Sequence, residues 1–440
     1  MSEVTMEKIV SLAKRRGFIY PGSEIYGGLS GFWDYGPLGV ELKNNIKNLW
    51  WKMFVKERTD IYGVDAAIIM HQKAWEASGH VKGFSDPMVE CKKCKRRFRA
   101  DQAEGPEGTR RVGGKCSECE GSFGEVRQFN MMFKTHVGAT EDESSVSYFR
   151  PETAGGIFVN FKNIVDSFHP KLPFGIAQIG KAFRNEISPR DFVFRAREFE
   201  QMEIEHFVRP DEWKRWFVAW REEIFMFFET IGIARDFIHE SEIGDGDRAH
   251  YSKRTIDFEF DFPFGRKELC GLAYRTDFDL RAHTETSGVE LSVIVDDATG
   301  EKIVPHVIEP SFGVDRAILA LLTSAYTEDE LNGEARTYLK FNPAVAPVKA
   351  AVFPLLKNKP ELVAKARDVY EKLKTEVSEI AWDDNGNIGK RYRRQDEIGT
   401  PVCITVDFQT LEDDTVTIRN RDTGGQERVA ISTLDSVVRQ

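Results

Sequence analysis

The chain has 440 residues, of which 41% are hydrophobic and 30% charged, and its formal net charge is −10. These values describe a globular protein with a sizeable core and two or three domains. The acidic balance argues against general binding of polyanions, though not against a local basic patch.

No apolar run approaches the roughly 18–20 residues of a membrane span, and the first residues show neither the apolar segment nor the cleavage site of a signal peptide. The expected setting is the cytoplasm, with reduced thiols. Residues 3–17 predict a short amphipathic helix, and the Gly- and aromatic-rich stretch after it reads as loop and short strand. From Gly39, apolar residues recur at Val40, Leu42, Ile46, Leu49, Trp50 and Phe54, with Pro37 just before them. That spacing predicts a helix with proline at its start. Trp50, Trp51 and Phe54 form a large apolar load for a monomer surface, so the helix is expected at a dimer interface.

Residues 85–127 contain Cys91-x2-Cys94 and Cys116-x2-Cys119. Two such knuckles can supply four thiolates to a tetrahedral zinc ion, and a four-thiolate site is structural because no position is left for water. Cys270 and Cys403 stand alone and read as core. The run Phe149-Arg150-Pro151-Glu152-Thr153-Ala154 opens a helix, with Glu152 or Thr153 in its first turn.

Residues 174–207 predict a long β-hairpin with arms 175–186 and 195–207, turning at Ser188-Pro189. With a period of two, Arg197, Phe199, Gln201, Glu203 and Glu205 share a face of the second arm, and Arg184 and Glu186 mark the first. An apolar face would be ordinary packing. A cation, a ring and several carboxylates on one face make a chemical surface, although a solvated charged face is the simpler reading. Arg suits anionic oxygens, Phe a planar base, and carboxylates an amine. ATP together with an amino acid combines all three.

Residues 211–232 predict a helix with a stripe of Trp213, Trp216, Phe217, Trp220, Ile224, Phe227, Phe228 and Ile231 against the core. Residues 255–262 and 268–280 predict paired strands around a turn at 263–265. Within them Glu268 can coordinate a Mg2+ bridging ATP phosphates, and Arg275 with Asp279 reads as an internal ion pair. Residues 303–322 predict a strand ending at Glu309, then a helix starting near Asp315-Arg316. A cation in the first turn opposes the helix dipole and needs an anionic partner such as a phosphate. Residues 336–347 read as a linker and 348–440 as a small α/β domain. Within that domain Lys390, Arg391, Arg393 and Arg394 surround Tyr392, a combination that suits single-stranded RNA or simply a solvated loop.

Three of these stretches resemble the motifs of the class II aminoacyl-tRNA synthetases, in order. Residues 37–54 are similar to motif 1, and FRNEISPR…FRAREFEQMEIE to motif 2. GVDR (313–316), followed by apolar residues, is similar to motif 3. The motif 2 wording resembles the glycyl family of the dimeric, single-polypeptide type, and the likeness runs from about Arg15 to the C-terminus.

The fold this implies is α+β. It has an antiparallel six- to seven-stranded sheet flanked by helices in a catalytic domain (1–335), a zinc-ribbon-like insertion at about 85–127 that is short for the family, and a C-terminal α/β anticodon-binding domain. The implied ATP site is Arg184, Asn185, Glu186, Phe194, Arg195, Ala196, Arg197, Glu198, Phe199, Glu268, Leu269, Gly313, Val314, Asp315 and Arg316. Arg184, Arg316 and Glu268 carry catalysis. The implied glycine site is Arg99, Glu152, Phe199, Glu200, Gln201, Met202, Glu203, Glu309, Pro310, Ser311, Phe312 and Gly313. The implied partners are ATP with Mg2+, glycine, tRNA(Gly), a structural Zn2+ and a second copy of the chain. Two alternatives stand beside this reading. A non-catalytic synthetase-like subunit that binds nucleic acid is opposed by the intact Arg184, Glu186 and Arg316. A class II enzyme for threonine, serine or proline is opposed by the carboxylates and by EPSFG (309–313).

Overall fold

The structure is a computed structural model and describes residues 4–100, 115–331 and 333–438. The middle part of the expected zinc-ribbon insertion, residues 101–114, lies outside the described residues. In chain order the helices that frame the first domain are α1 (Met6–Arg15), α2 (Pro37–Trp51), α3 (Ala154–Phe168), α4 (Trp213–Ile231), α5 (Phe278–Ser287) and α6 (Val314–Ala325). Its main sheet is built from β1 (Ile61–Gly63), β2 (Phe174–Phe183), β3 (Glu198–Val208), β4 (Ile238–Glu242), β5 (Arg254–Phe262), β6 (Gly265–Thr276) and β7 (His306–Gly313).

The seven strands lie in the order β4-β5-β6-β7-β3-β2-β1. All neighbours are antiparallel except β1 and β2. The hairpin β2–β3 is continuous from Phe174↔Phe207 to Phe183↔Glu198, so the register that period two requires is held over its whole length.

The two faces of this sheet separate the chemistry of the chain. On one face Met202, Ile204, Ile308, Phe312, Leu272 and Cys270 pack under α2, α4 and α6 in the larger core. Trp50 and Phe54 belong to that core with no exposure, and their rings lie 6.1 and 5.8 Å from Phe312. The expectation that these residues load an outer surface is corrected here. They face their own sheet, and periodicity alone cannot tell that core from a partner. The other face carries a second cluster at one end, where α3 and α5 cover Phe174, Ile176, Phe207 and Val307. Its remainder is the polar cavity described below. Of the predicted stripe of α4, Phe217, Trp220, Ile224, Phe227, Phe228 and Ile231 are buried, and Trp213 and Trp216 are half-buried against the same core.

The C-terminal domain has β8 (Ala350–Pro354), α7 (Pro360–Glu376), β9 (Ile380–Trp382), α8 (Ile388–Ile398), β10 (Val402–Val406), β11 (Thr415–Asn420) and β12 (Gln426–Ala430). Its sheet order is β9-β8-β10-β11-β12, with its own apolar core. Residues 336–347 are not a free linker. Leu339, Phe341, Val345 and Ala346 are buried in the core of the first domain. Arg421 donates to the carbonyls of Phe341 and Gly399 at 3.0 and 2.8 Å. Buried Arg336 pairs with buried Asp396 of α8 at 3.4 Å, and nearer the surface Arg15 pairs with Glu397 at 3.0 Å. A buried ion pair and buried arginine–carbonyl hydrogen bonds therefore fasten the second domain to the first.

Candidate active site

A cavity of about 560 Å³ lies on the polar face of the main sheet. Among the residues expected in the site, Arg99, Glu152, Arg184, Glu186, Phe194, Arg195, Ala196, Phe199, Gln201, Glu203, Glu268, Leu269, Glu309, Ser311, Gly313, Asp315 and Arg316 line it. Asn185, Arg197, Glu198, Glu200, Met202, Pro310, Phe312 and Val314 do not. Strand geometry explains most of these. Glu200 and Met202 alternate with Phe199, Gln201 and Glu203, and Phe312 alternates with Ser311 and Gly313, so their side chains point to the opposite face. Met202, Phe312 and Val314 are core residues. Arg197 spends its guanidinium on the carbonyls of Glu186 and Ser30, at 2.9–3.1 Å, and so clamps the turn of the hairpin instead of facing the cavity. Glu198 pairs with Lys181 at 2.8 Å.

One end of the cavity is cationic. Arg184 donates from Nε to the carbonyl of Pro151 at 3.0 Å, and its guanidinium lies 5.3 Å from the Phe199 ring. Arg195 Nη1 sits 3.5 Å from the Glu186 carboxylate. Arg316 stacks over Phe194 at 4.6 Å and pairs with Glu268 at 2.9 Å. Arg316 holds the Glu268 carboxyl below its usual range, against burial. Asp257, which the sequence reading missed, lines the same end. Burial, and then Glu268 and Glu259, push it up to about 7. Arg99 closes one side and pairs with Asp86 at 2.5 Å.

The other end is acidic. Glu203 accepts from Ser311 Oγ at 2.7 Å and from Thr153 Oγ1 at 2.5 Å. The Thr153 hydroxyl is therefore not a helix cap. Glu309 pairs with Arg275 at 2.9 Å, and Arg275 also takes Asp279 in a bidentate pair at 2.7 and 2.8 Å. The internal ion pair expected of Arg275 is present, but the same guanidinium also anchors the site. Tyr251 lies against it, 3.7 Å from guanidinium to ring. Glu152 faces His80 Nε2 at 3.3 Å. Burial opposes the Glu152 charge, yet His80, Arg275 and Arg184 together hold the carboxyl at about 2. Burial, helped by Glu203 and Glu152 and opposed by Arg275, pushes Glu309 up to about 8. Burial, then the charge of Glu309, raises Glu205 well above its ordinary value.

The turn that presents Glu152 is fixed from behind. Arg150 is buried and donates to the carbonyls of Lys181 and Ala66 at 2.6 and 2.8 Å. A Cβ at residue 180 would lie 2.1 Å from its Nη2, so only glycine lets the strand pass. His80, Tyr251, Arg248 and Asp257 were not found from the sequence. Each comes from a different segment, and no local spacing marks it.

The four cysteines of the insertion converge. Cys91 and Cys119 Sγ are 3.5 Å apart, Cys94 and Cys116 3.6 Å, and all four sulfurs lie within 4.8 Å of one another. Bonds of about 2.3 Å to a tetrahedral ion imply sulfur separations of about 3.8 Å, so this donor set fits zinc. The expected RNA cluster does not survive intact. Arg391 is buried and donates to the carbonyls of Asp384 and Gly386 at 3.0 and 2.8 Å, and Arg394 is held by Asp383 at 2.8–2.9 Å. Both side chains serve the α8 end of the domain. Lys390 is exposed, and Arg393 reaches Glu334.

Residues 133–325 match the family model described as tRNA synthetase class II core domain (G, H, P, S and T), and residues 349–440 that described as anticodon binding domain. Together these matches set the class: a class II synthetase core followed by an anticodon-binding domain. Full-length relatives narrow it. The chain is 52% identical to the glycine–tRNA ligase of Clostridium acetobutylicum, over 100% of this chain and 99% of that protein. It is 50% identical to that of Caldanaerobacter subterraneus subsp. tengcongensis, over 100% and 98%, and 51% identical to that of Bacillus anthracis, over 98% and 97%. The chain belongs to the glycine–tRNA ligase family of class II aminoacyl-tRNA synthetases.

Glu205 yields a pH prediction. It is fully buried, and neither carboxyl oxygen has a hydrogen-bond partner. A carboxyl raised in the folded state stabilises fully below its unfolded value, near 4.5, and that stability is lost as pH rises toward its folded value. Glu205→Gln removes the group. Its melting temperature should gain steadily on the parent from pH 5 upward, by roughly 1.4 kcal/mol of stability per pH unit while the group stays protonated. A difference that does not change with pH would show that Glu205 is not held neutral.

Proposed function

We propose that the chain activates glycine with ATP, releasing pyrophosphate, and then passes the glycyl group to the 3′ end of tRNA(Gly). The observation that carries this is the cavity's polarity, with arginines and an aromatic ring at one end and Glu152, Glu203 and Glu309 at the other. That is the complement of a nucleotide joined to a small ammonium compound.

In the first step the glycine carboxylate attacks the α-phosphorus of ATP, and pyrophosphate leaves. The nucleophile is already ionised, so no general base is needed, and catalysis is positioning plus neutralisation of charge. Arg184 would bridge the α-phosphate and the amino-acid carboxylate. The Phe199 ring would stack on adenine, and Glu186 would accept from its amine. Arg195 and Arg316 would hold the outer phosphates, and the main chain around Asn185, Ala196, Leu269 and Gly313 would shape the pocket. Glu268 and Asp257 are hard oxygen donors whose mutual repulsion suits a Mg2+, which would neutralise phosphate charge. Glycine offers no side chain, so its ammonium is the handle for Glu152, Glu203 and Glu309, with Gln201 and Ser311 beside them. Glu200, Met202, Pro310, Phe312 and Val314 can reach this pocket only through their backbone. A pocket rejects one extra methyl by only about 10–200-fold, so alanine must be excluded by shape.

The anticodon-binding domain would meet tRNA(Gly), with Lys390 and Arg393 as its candidate contacts. A homodimer is proposed from the motif 1 resemblance alone, and a mass in solution equal to one chain would remove it. No helix among the described residues is long and apolar enough to cross a membrane, and we place the reaction in the cytoplasm. The cysteine set would hold a structural zinc; freshly purified protein should contain about one zinc per chain, and metal-free folded protein would contradict that. Arg184→Ala should lower glycine-dependent ATP–pyrophosphate exchange at least about a hundredfold, the scale of losing a preorganised charge contact. Substantial residual exchange would refute its role.

A further inference from the structure

Behind the cavity wall, and reaching it at Asp315, lies a buried ionic network whose charges have no part in the proposed reaction. Lys43 and Lys47 lie one turn apart on α2 and both reach Glu200 of β3. Lys43 Nζ is 2.9 Å from Glu200 Oε2 and 3.6 Å from Asp315 Oδ1, and Lys47 Nζ is 3.2 Å from Glu200 Oε1. Asp315 Oδ2 accepts the backbone N–H of Glu200 at 2.7 Å, and its Oδ1 accepts the hydroxyl of Tyr35. The ammonium of Lys43 also lies 4.2 Å above the Tyr35 ring. Lys43, Glu200 and Asp315 are 5, 8 and 6% exposed.

Such charges are expensive to bury. Each loses several kcal/mol of hydration, and apolar replacements of similar volume are often as stable. The neighbours Leu42, Ile46 and Phe312 would accept an apolar plug. The arrangement therefore calls for an account beyond stability. Asp315 precedes Arg316 in the first turn of α6, and the amide it holds lies between Phe199 and Gln201. One network thus fixes two elements at once: the helix start that carries Arg316, and the strand that carries Phe199. Burial pulls the Lys43 ammonium down, but Asp315 and Glu200 outweigh it and keep it charged.

We propose that Lys43, acting through Glu200 and Asp315 with Tyr35, is a positioning residue that sets Arg316 and Phe199 for ATP and couples helix α2 to the nucleotide end of the cavity. Lys43 itself does not line the cavity. The proposal rests on the reading of that end as the ATP site.

The test is ATP–pyrophosphate exchange by the full chain, with KM measured separately for ATP and glycine. Lys43→Met, nearly isosteric and uncharged, should raise KM for ATP about tenfold, since small misplacements of positioning groups are costly, and leave KM for glycine within about twofold. Tyr35→Phe removes one hydrogen bond without stranding a charge; it should fold and raise KM for ATP by about threefold. A folded Lys43→Met with both constants unchanged, or raised equally, overturns the proposal. If Lys43→Met does not fold, Tyr35→Phe decides alone, and an unchanged KM for ATP overturns it. If the wild-type chain shows no glycine-dependent exchange, the reading of the site fails first. The network is then read from ATP binding by calorimetry in the same variants, where an unchanged Kd overturns it.

Discussion

Strand β3 is a boundary between two environments, and the rest of the structure depends on its register. Its odd-numbered residues from Phe199 to Glu205 meet a polar cavity or buried carboxylates; Met202 and Ile204 between them meet an apolar core. A shift of one residue would send the carboxylates of Glu203 and Glu205 into the core and the side chains of Met202 and Ile204 into the cavity. The pairings to β2 and β7 on either side prevent this, and Phe312, opposite Met202, anchors the aromatic cluster of Trp50 and Phe54.

The cost of the site lies in its acidic end. Glu203, Glu205 and Glu309 bring carboxylate oxygens within 4.8 Å of one another, all of them buried. Arg275 compensates only part of that charge, because it also serves Asp279. Burial and mutual repulsion, against Arg275, therefore push Glu309 up to about 8 and Glu205 well above its ordinary value. A ligand bearing an ammonium group would supply the missing charge, which is how a pocket can grip a substrate that has no side chain. At the cationic end Arg195 and Arg316 lie beside Glu186 and Glu268, whereas Arg184 donates to the carbonyl of Pro151. A polyphosphate would add charge-assisted hydrogen bonds to all three guanidinium groups.

Much of this was legible in the sequence because it is local. Alternation from Phe199 to Glu205 marked one chemical face, from which Arg197 departs, the 3.6 spacing marked α2 and α4, and the paired C-x2-C spacings placed four sulfurs together. What stayed hidden is long-range. Nothing near His80 marks it as a partner of Glu152, 72 positions on by number. Nothing near Lys43 points to Asp315. The apolar stripe of α2 was visible, but whether it met its own sheet or a partner was not. In the basic run of α8, counting charges could not show that Arg391 is buried on carbonyl oxygens. Glu200, Met202 and Phe312 went astray for a simpler reason. Motif resemblance names whole stretches, whereas a strand offers only alternate side chains to one face.

In the proposed function one cavity joins a nucleotide end to an ammonium end shaped for glycine. ATP–pyrophosphate exchange without tRNA, with each of the twenty amino acids in turn, decides whether it does. Exchange is expected with glycine and none above background with the other nineteen. Exchange driven by a different amino acid would contradict the assignment of Glu152, Glu203 and Glu309 to glycine, and exchange with none would contradict catalysis by this cavity without tRNA.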